Sequence, residues 1–216
     1  TVDANGIIVI PTGNTLYMAD SSGSVIATDI DNYGKIYITG TFTPVGTALL
    51  VNDHNSTVIY NGVNQNMWNG QYGKLEVDGG GIKTVMGTVT SATNDVLFIN
   101  GHIQLGNRNF RLWNLATTTG AANGTGWFVT NAFGGVYKIG VGSSNMLTYD
   151  FEVGTSTTSF NRLMVTNDGT TDNYNVRVAP PFDFDSDYPC DALTDTAAVN
   201  RTWYINEDVA LGSNLT

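Results

Sequence analysis

The sequence predicts an all-β fold: short strands in a solenoid-like or sandwich arrangement in the N-terminal part, followed by an antiparallel β-sandwich. Three observations carry that expectation. Thr, Asn, Gly and Ser supply 89 of the 216 residues, while Glu, Gln and Lys together supply ten, so β-branched residues and turn formers abound where straight-chain helix formers are scarce. Brief apolar runs recur, many about ten residues apart and bounded by Gly, Asn or Pro. Beyond residue 120 the runs lengthen and alternate, as antiparallel strands with one buried face do.

Taken in order, Ile7-Ile8-Val9-Ile10 is a continuous apolar run between Asn5-Gly6 and Pro11, the pattern of a strand covered on both faces. Ser24 to Thr28 and Lys35 to Thr39 alternate and are separated by Ser-Gly and Asn-Tyr-Gly punctuation. Strands are then expected at 57–60, 74–77, 83–86, 96–99, 102–105 and 110–113, each followed by an Asn- or Gly-containing turn. This near-regular spacing suits a solenoid or a sandwich. No strict repeat decides between them. After the Thr117 to Gly126 loop, strands are expected at 126–130, 135–139, 161–166 and 174–178. Pro180-Pro181 and Pro189 make the acidic stretch 182–191 a loop, because proline cannot sit in a central strand. The organisation expected is an N-terminal strand over 1–13, a short-strand domain over 14–120 and a sandwich over 121–216, with a soft boundary near 117–125.

With 41% apolar residues the chain can bury a core. Its net charge of -10 is concentrated beyond residue 149, where eleven acids face three bases. A basic stripe for nucleic acid or an anionic membrane is therefore not expected. No apolar run reaches the length of a membrane-spanning helix. Cys190 is the only cysteine, so no intrachain disulfide can form. The chain begins at Thr1 without an initiator methionine or signal segment, which suggests a processed mature protein.

Chemistry-bearing residues are sparse. Asp183, Asp185 and Asp187 alternate in a spacing that offers oxygen ligands to Ca²⁺, the one cofactor the sequence brings to mind. The glycine and the bidentate glutamate of an EF-hand are missing. Gly79-Gly80-Gly81 before Lys83-Thr84 lacks the spacing of a phosphate loop and reads as a turn or bulge. His54 and His102 sit apart, and Cys190 lies among acids that disfavour its thiolate. Among the tryptophans, Trp68 is the one placed in a turn, where its ring could stack on a sugar; the others read as core. Three glutamates in the whole chain, among them Glu76 near Asp78 and Glu207 beside Asp208, argue against a glycan-cleaving carboxylate pair. No catalytic residue is assigned, and the chain is expected not to be an enzyme. Glycosylation candidates are the sequons at Asn55, Asn123, Asn200 and Asn214, and Thr196 in Asp195-Thr196-Ala197.

Ser56-Thr57-Val58-Ile59-Tyr60-Asn61-Gly62, Gly73-Lys74-Leu75-Glu76-Val77-Asp78-Gly79-Gly80-Gly81 and Gly101-His102-Ile103-Gln104-Leu105-Gly106-Asn107 resemble the repetitive stretches of large secreted surface proteins of Bacteroidota. Those proteins are often type IX secretion cargo and are often described as adhesins. The likeness continues through Trp127-Phe128-Val129-Thr130-Asn131, Leu163 to Thr170 and Val199 to Ile205, covering roughly residues 56–216. It implies an extracellular or cell-surface all-β protein without catalytic residues, and Asp195-Thr196-Ala197 is similar to the O-glycan acceptor pattern of that group. The chain departs from the family in lacking a C-terminal sorting domain and in stopping as a strand begins at Gly212 to Thr216.

A sandwich short of one strand exposes an edge that invites a strand from another chain. The expected acceptor edge is Asn214, Leu215 and Thr216, and the expected donor is Ile7, Ile8, Val9 and Ile10, giving a head-to-tail contact that does not close. The alternative for the donor is a strand that pairs within its own chain. The function expected from the sequence is a structural subunit of an extracellular homopolymeric filament whose partners are copies of itself. A glycan- or surface-binding adhesin module is second, and a β-solenoid carbohydrate-active enzyme a distant third.

Overall fold

The structure, a computed structural model, describes residues 8–10, 15–18, 24–26, 30–40, 42–44, 50–143, 146–180, 201–209 and 213–215. These residues form strands and turns and no helix. In chain order the first coils comprise β1 (Ile8–Ile10), β2 (Thr15–Met18), β3 (Ser24–Ile26), β4 (Ile30–Asn32), β5 (Lys35–Ile38), β6 (Phe42–Pro44), β7 (Leu50–Asn52), β8 (Thr57–Tyr60) and β9 (Gln65–Met67). The next are β10 (Gln71–Val77), β11 (Ile82–Val85), β12 (Thr90–Phe98), β13 (His102–Gln104), β14 (Phe110–Leu112), β15 (Thr117–Thr119) and β16 (Phe128–Val129). The last are β17 (Val136–Val141), β18 (Thr148–Ser156), β19 (Ser159–Thr166), β20 (Asp172–Ala179) and β21 (Thr202–Glu207).

Strands two or three elements apart pair in parallel, which resolves the choice left open by the sequence in favour of a β-solenoid. One face runs β1–β4–β7–β10–β12–β14–β17, and a second runs β2–β5–β8 and continues through the C-terminal halves of β10 and β12 to β15. The third runs β9–β11–β13–β16–β18, with the two-stranded β3–β6 sheet beside it through β6 and β9. About four turns lie in the unbroken stretch from β7 to β16. Partners on the first face step by 20 residues from Ile30 to Leu50 and from Thr90 to Phe110, then by 26 from Phe110 to Val136. Elsewhere Thr57 and Lys74 pair across only 17.

The interior is a column of in-register rows. Ile36, Val58, Leu75 and Val96 follow one another on the second face, with Ile38, Tyr60, Val77 and Phe98 beside them. Every one of these side chains is buried. Phe128 on the third face meets Phe98 edge-on at 5.2 Å and Phe110 at 5.1 Å, closing the column across its axis. Asn32 is buried as well; its Nδ2 donates to Asn52 Oδ1 at 2.9 Å, and Asn52 Nδ2 passes the chain on to Gln71 O.

After β17 the chain skips the second face. The other two faces continue as antiparallel ladders, β17–β20–β21 and β18–β19. Tyr174, Val176 and Val178 on one sheet and Phe151, Val153 and Val165 on the other are buried in the common core, so the solenoid passes into two facing antiparallel layers. The buried Thr130 hydroxyl stitches the layers by donating to Val178 O and accepting from Val178 N. The first and third faces continue across the segment 117–125, through β14–β17 and β13–β16.

Corners are where the sequence is most constrained. Gly79, Gly80 and Gly81 all have positive φ (73°, 75° and 63°), and a Cβ on Gly79 or Gly81 would come 2.0 Å from the carbonyl oxygen of Asn61 or Val63 in the turn stacked beside it. The triple glycine is therefore a turn, as expected, and exists because two coils approach backbone to backbone. Gly106 has a similar φ of 57° with nothing near its Cβ position. Accordingly G106A is predicted to cost about 1–2 kcal/mol. G79A, which adds a backbone collision, is predicted to cost roughly 3 kcal/mol or more. Urea midpoints of the two variants that coincide would contradict this stacking.

Candidate functional site: free edges at both ends of the coil

Inside the coil, the polar groups are consumed by structure. Lys83 projects inward between Gln65 and Ile103 in its row, fully buried, and its ammonium donates to the carbonyls of Gly62, Val63 and Gly80. Lys138 lies between Leu112 and Tyr174, also fully buried. Its Nζ donates to Trp113 O, Asn114 O and Ala116 O at 2.7–2.9 Å and sits 4.9 Å from the Tyr149 ring. Among the described residues neither forms an ion pair, although the Asp78 carboxylate acts on Lys83 from a distance. Burial pushes both amines down to about 8, while the carbonyl acceptors favour the ammonium, so both are charged at neutral pH. Each ties down corner carbonyls that the strand ladders leave without donors.

Trp68 is buried, which overturns its reading as an exposed stacking ring. Its backbone N–H donates to Tyr60 OH, the Tyr60 and Tyr72 hydroxyls meet at 2.9 Å, and Tyr72 donates to the backbone Trp68 O at 2.5 Å. Burial raises the Tyr60 phenol to about 12 and raises Tyr72 well above the usual phenol value. Trp127 is likewise buried, its Nε1 donating to Ser156 O at 2.9 Å, and it packs on His102 at 4.4 Å. His54 is exposed and bonds Thr93 Oγ1 at 3.2 Å, so the two histidines serve separate places. Among the described residues no three His, Cys, Asp or Glu side chains come together as a metal site, and no helix is long and apolar enough to cross a membrane.

The features left available are edges. Among the described residues β1, β2 and β3 each pair on one side only, with β4, β5 and β6. At the other end of the coil β21, β15 and β19 are likewise paired on one side, with β20, β12 and β18. β15 is stiffened by Asp95, whose two carboxylate oxygens accept from the Thr117 and Thr119 hydroxyls at 3.0 Å each. On β19, Arg162 reaches across to Asp150 and, at 3.9 Å, to Glu152.

Of the expected contact residues, Ile8, Val9 and Ile10 run parallel to Ile30, Asp31 and Asn32 of the same chain. Asn214 and Leu215 lie at the far end, just beyond β19. Leu215 bridges Asn167 antiparallel, Asn214 N–H donates to Asn167 Oδ1 at 3.1 Å, and Asp168 N–H donates to Asn214 O at 3.3 Å. Ile7, Thr216, the calcium candidates Asp183, Asp185 and Asp187, Cys190, and the acceptors Thr196 and Asn200 lie outside the described residues. Asn55, Asn123 and Asn214 are exposed. The hydroxyl of the Asn123 sequon, on Thr125, is turned inward to Gly120 O and Ala122 O.

The sequence reading missed the two lysines, although strand parity marks them. Lys138 shares parity with the buried Val136, and Lys83 with Val85. Compared with protein families, characterised proteins and solved structures, the chain finds no match.

The buried cations and phenols set an alkaline stability profile. From about pH 8 to 10.5 the unfolded chain holds lysine protons that the folded chain has released, so stability is predicted to rise there. From about pH 10 to 12 the folded Tyr60 keeps a proton that the unfolded chain loses, so stability falls. Thermal midpoints should peak near about pH 10, and K138M should flatten the rise. K138M should also lower stability at pH 7 by roughly 2–4 kcal/mol, because three corner carbonyls lose their donor. A monotonic decline from pH 7 upward would refute the assignment.

Proposed function

We propose that the chain is a structural subunit of an extracellular homopolymeric filament, assembled head-to-tail by strand complementation. What supports the reading is the pairing pattern: among the described residues the first face ends in one-sided strands at β1 and β21, the second at β2 and β15, and the third at β9 and β19, with the separate β3–β6 sheet beside β9. An unpaired edge is a template for another strand, and solenoids stay soluble only where their terminal coils are capped. A contact joining one end to the opposite end of a second copy is heterologous and does not close, so it propagates. Ile8–Ile10 and Asn214–Leu215 stand at opposite ends of the strand order, the disposition such a contact needs. Complementation that adds the free side of β1 to the far-end edge of a second copy keeps the β1–β4 ladder within each chain and adds ladder bonds between chains.

The expectation is that the concentrated chain forms regular filaments in electron micrographs. Deletion of residues 1–11 should leave a folded β protein by circular dichroism that no longer elongates. An intact chain that stays monomeric across a wide concentration range in size-exclusion chromatography with light scattering would overturn the reading.

A further inference from the structure

On the outer side of the first face, a cavity of about 190 Å³ is lined by Thr88, Val89, Thr90, Asn109, Arg111 and Tyr137. Strand register builds it: Arg111 on β14 lies beside Ser91 on β12 and Tyr137 on β17, and the small serine leaves the space that the longer neighbours wall.

The walls are held in place from behind. Asp208 accepts from Tyr137 OH and, at 2.9 Å, from Asn173 Nδ2. Those two hydrogen bonds, Asn173 first, keep its carboxyl below the usual range. The fixed Tyr137 ring in turn carries the Arg111 guanidinium, 4.9 Å from its centroid. Asn109 Oδ1 accepts from Gly135 N at 2.9 Å and from Asn175 Nδ2 at 3.4 Å, so the Asn109 acceptor is used and its amide N–H groups remain.

The result is a cavity with a surplus of donors. Arg111 forms no close ion pair among the described residues, although its charge acts on the Asp208 carboxylate behind Tyr137. Thr88 adds an exposed hydroxyl. No carboxylate lines the space, in a chain whose net charge is -10. An arginine fork, an amide and a hydroxyl match a carboxylate carried on a hydroxyl-bearing ring. Val89, 63% exposed, gives such a ring one apolar wall.

We infer that this cavity binds an acidic sugar residue, with Arg111 receiving its carboxylate and Asn109 and Thr88 its hydroxyls. The inference stands independently of filament assembly, because the site is on the side of the coil and complete within one chain.

The test is a titration of the full chain with galacturonic acid, its methyl ester and N-acetylalanine, followed by NMR shifts of the Arg111 and Asn109 side chains and by calorimetry. Galacturonate is expected to shift both side chains, to bind about tenfold more tightly than the uncharged ester, and to weaken with added salt. R111Q should lose a similar factor, and R111K should fall between, keeping the charge without the fork. The methyl ester makes the same comparison on the unaltered chain, so the result does not depend on the variants folding. Equal binding of acid and ester, tighter binding of N-acetylalanine, or no shift at either side chain at saturating sugar overturns the proposal.

Discussion

Everything in this molecule depends on one coil of backbone lying in register on the next. A parallel ladder satisfies its hydrogen bonds only if each strand has a neighbour at the same height, so each turn must bring the chain back to the same three faces. The corners then carry the burden. They must turn within a few residues while lying directly against the preceding corner, which admits glycine where a Cβ would strike a carbonyl, as at Gly79 and Gly81. They also leave carbonyls that no strand partners, and Lys83 and Lys138 answer these from inside. The chain's richness in Gly and Asn, and the burial of two of its four lysines, follow from the same requirement.

Much of this was legible in the sequence. The strands expected at 57–60, 102–105 and 174–178 lie where β8, β13 and β20 are found, because their alternation is strong and their turns are marked by Asn and Gly. The strand expected at 74–77 begins at Gln71 and the one expected at 96–99 begins at Thr90. In β10 the chain turns a corner at Gly73 without leaving the ladder, and a glycine read as punctuation is a bulge whose Cβ position falls 2.1 Å from Asp53 O. The coil period stayed hidden because partners lie anywhere from 17 to 26 residues apart, the corners absorbing the difference. Trp68 was misread because its local surroundings are those of an exposed turn, while Tyr60 and Tyr72, on β8 and β10, bind its backbone and the residue joins the buried core. The free edges were beyond any local pattern, since whether a strand is paired on one side or two is a property of the whole sheet.

The filled interior narrows where recognition can occur. In-register rows of Ile, Val, Leu and Phe occupy the axis, and the polar groups that enter it, Asn32, Lys83, Lys138 and the Tyr60–Tyr72 pair, are engaged with one another or with backbone. A coil of this kind offers a partner two kinds of surface: the outward rows across a face, such as Ser91–Arg111–Tyr137, and the edges at its ends. The first repeats along the coil axis and suits an extended ligand lying across strands. The second suits another strand.

The two ends differ in a way that bears on which strands such edges accept. β15 is Thr-Thr-Thr held by Asp95, and β21 closes on Asn206 and Glu207 beside Asp208; polar and charged edges of this type resist indiscriminate pairing. β1 is Ile-Val-Ile, a segment with no such protection in its composition. A polar edge still has unpaired N–H and C=O groups, so it accepts a strand that arrives in register while giving little to one that does not. Register is fixed by what the side chains on the covered face must match, and here three edges would have to match at once. Specific end-to-end addition and resistance to random aggregation are therefore compatible consequences of one arrangement.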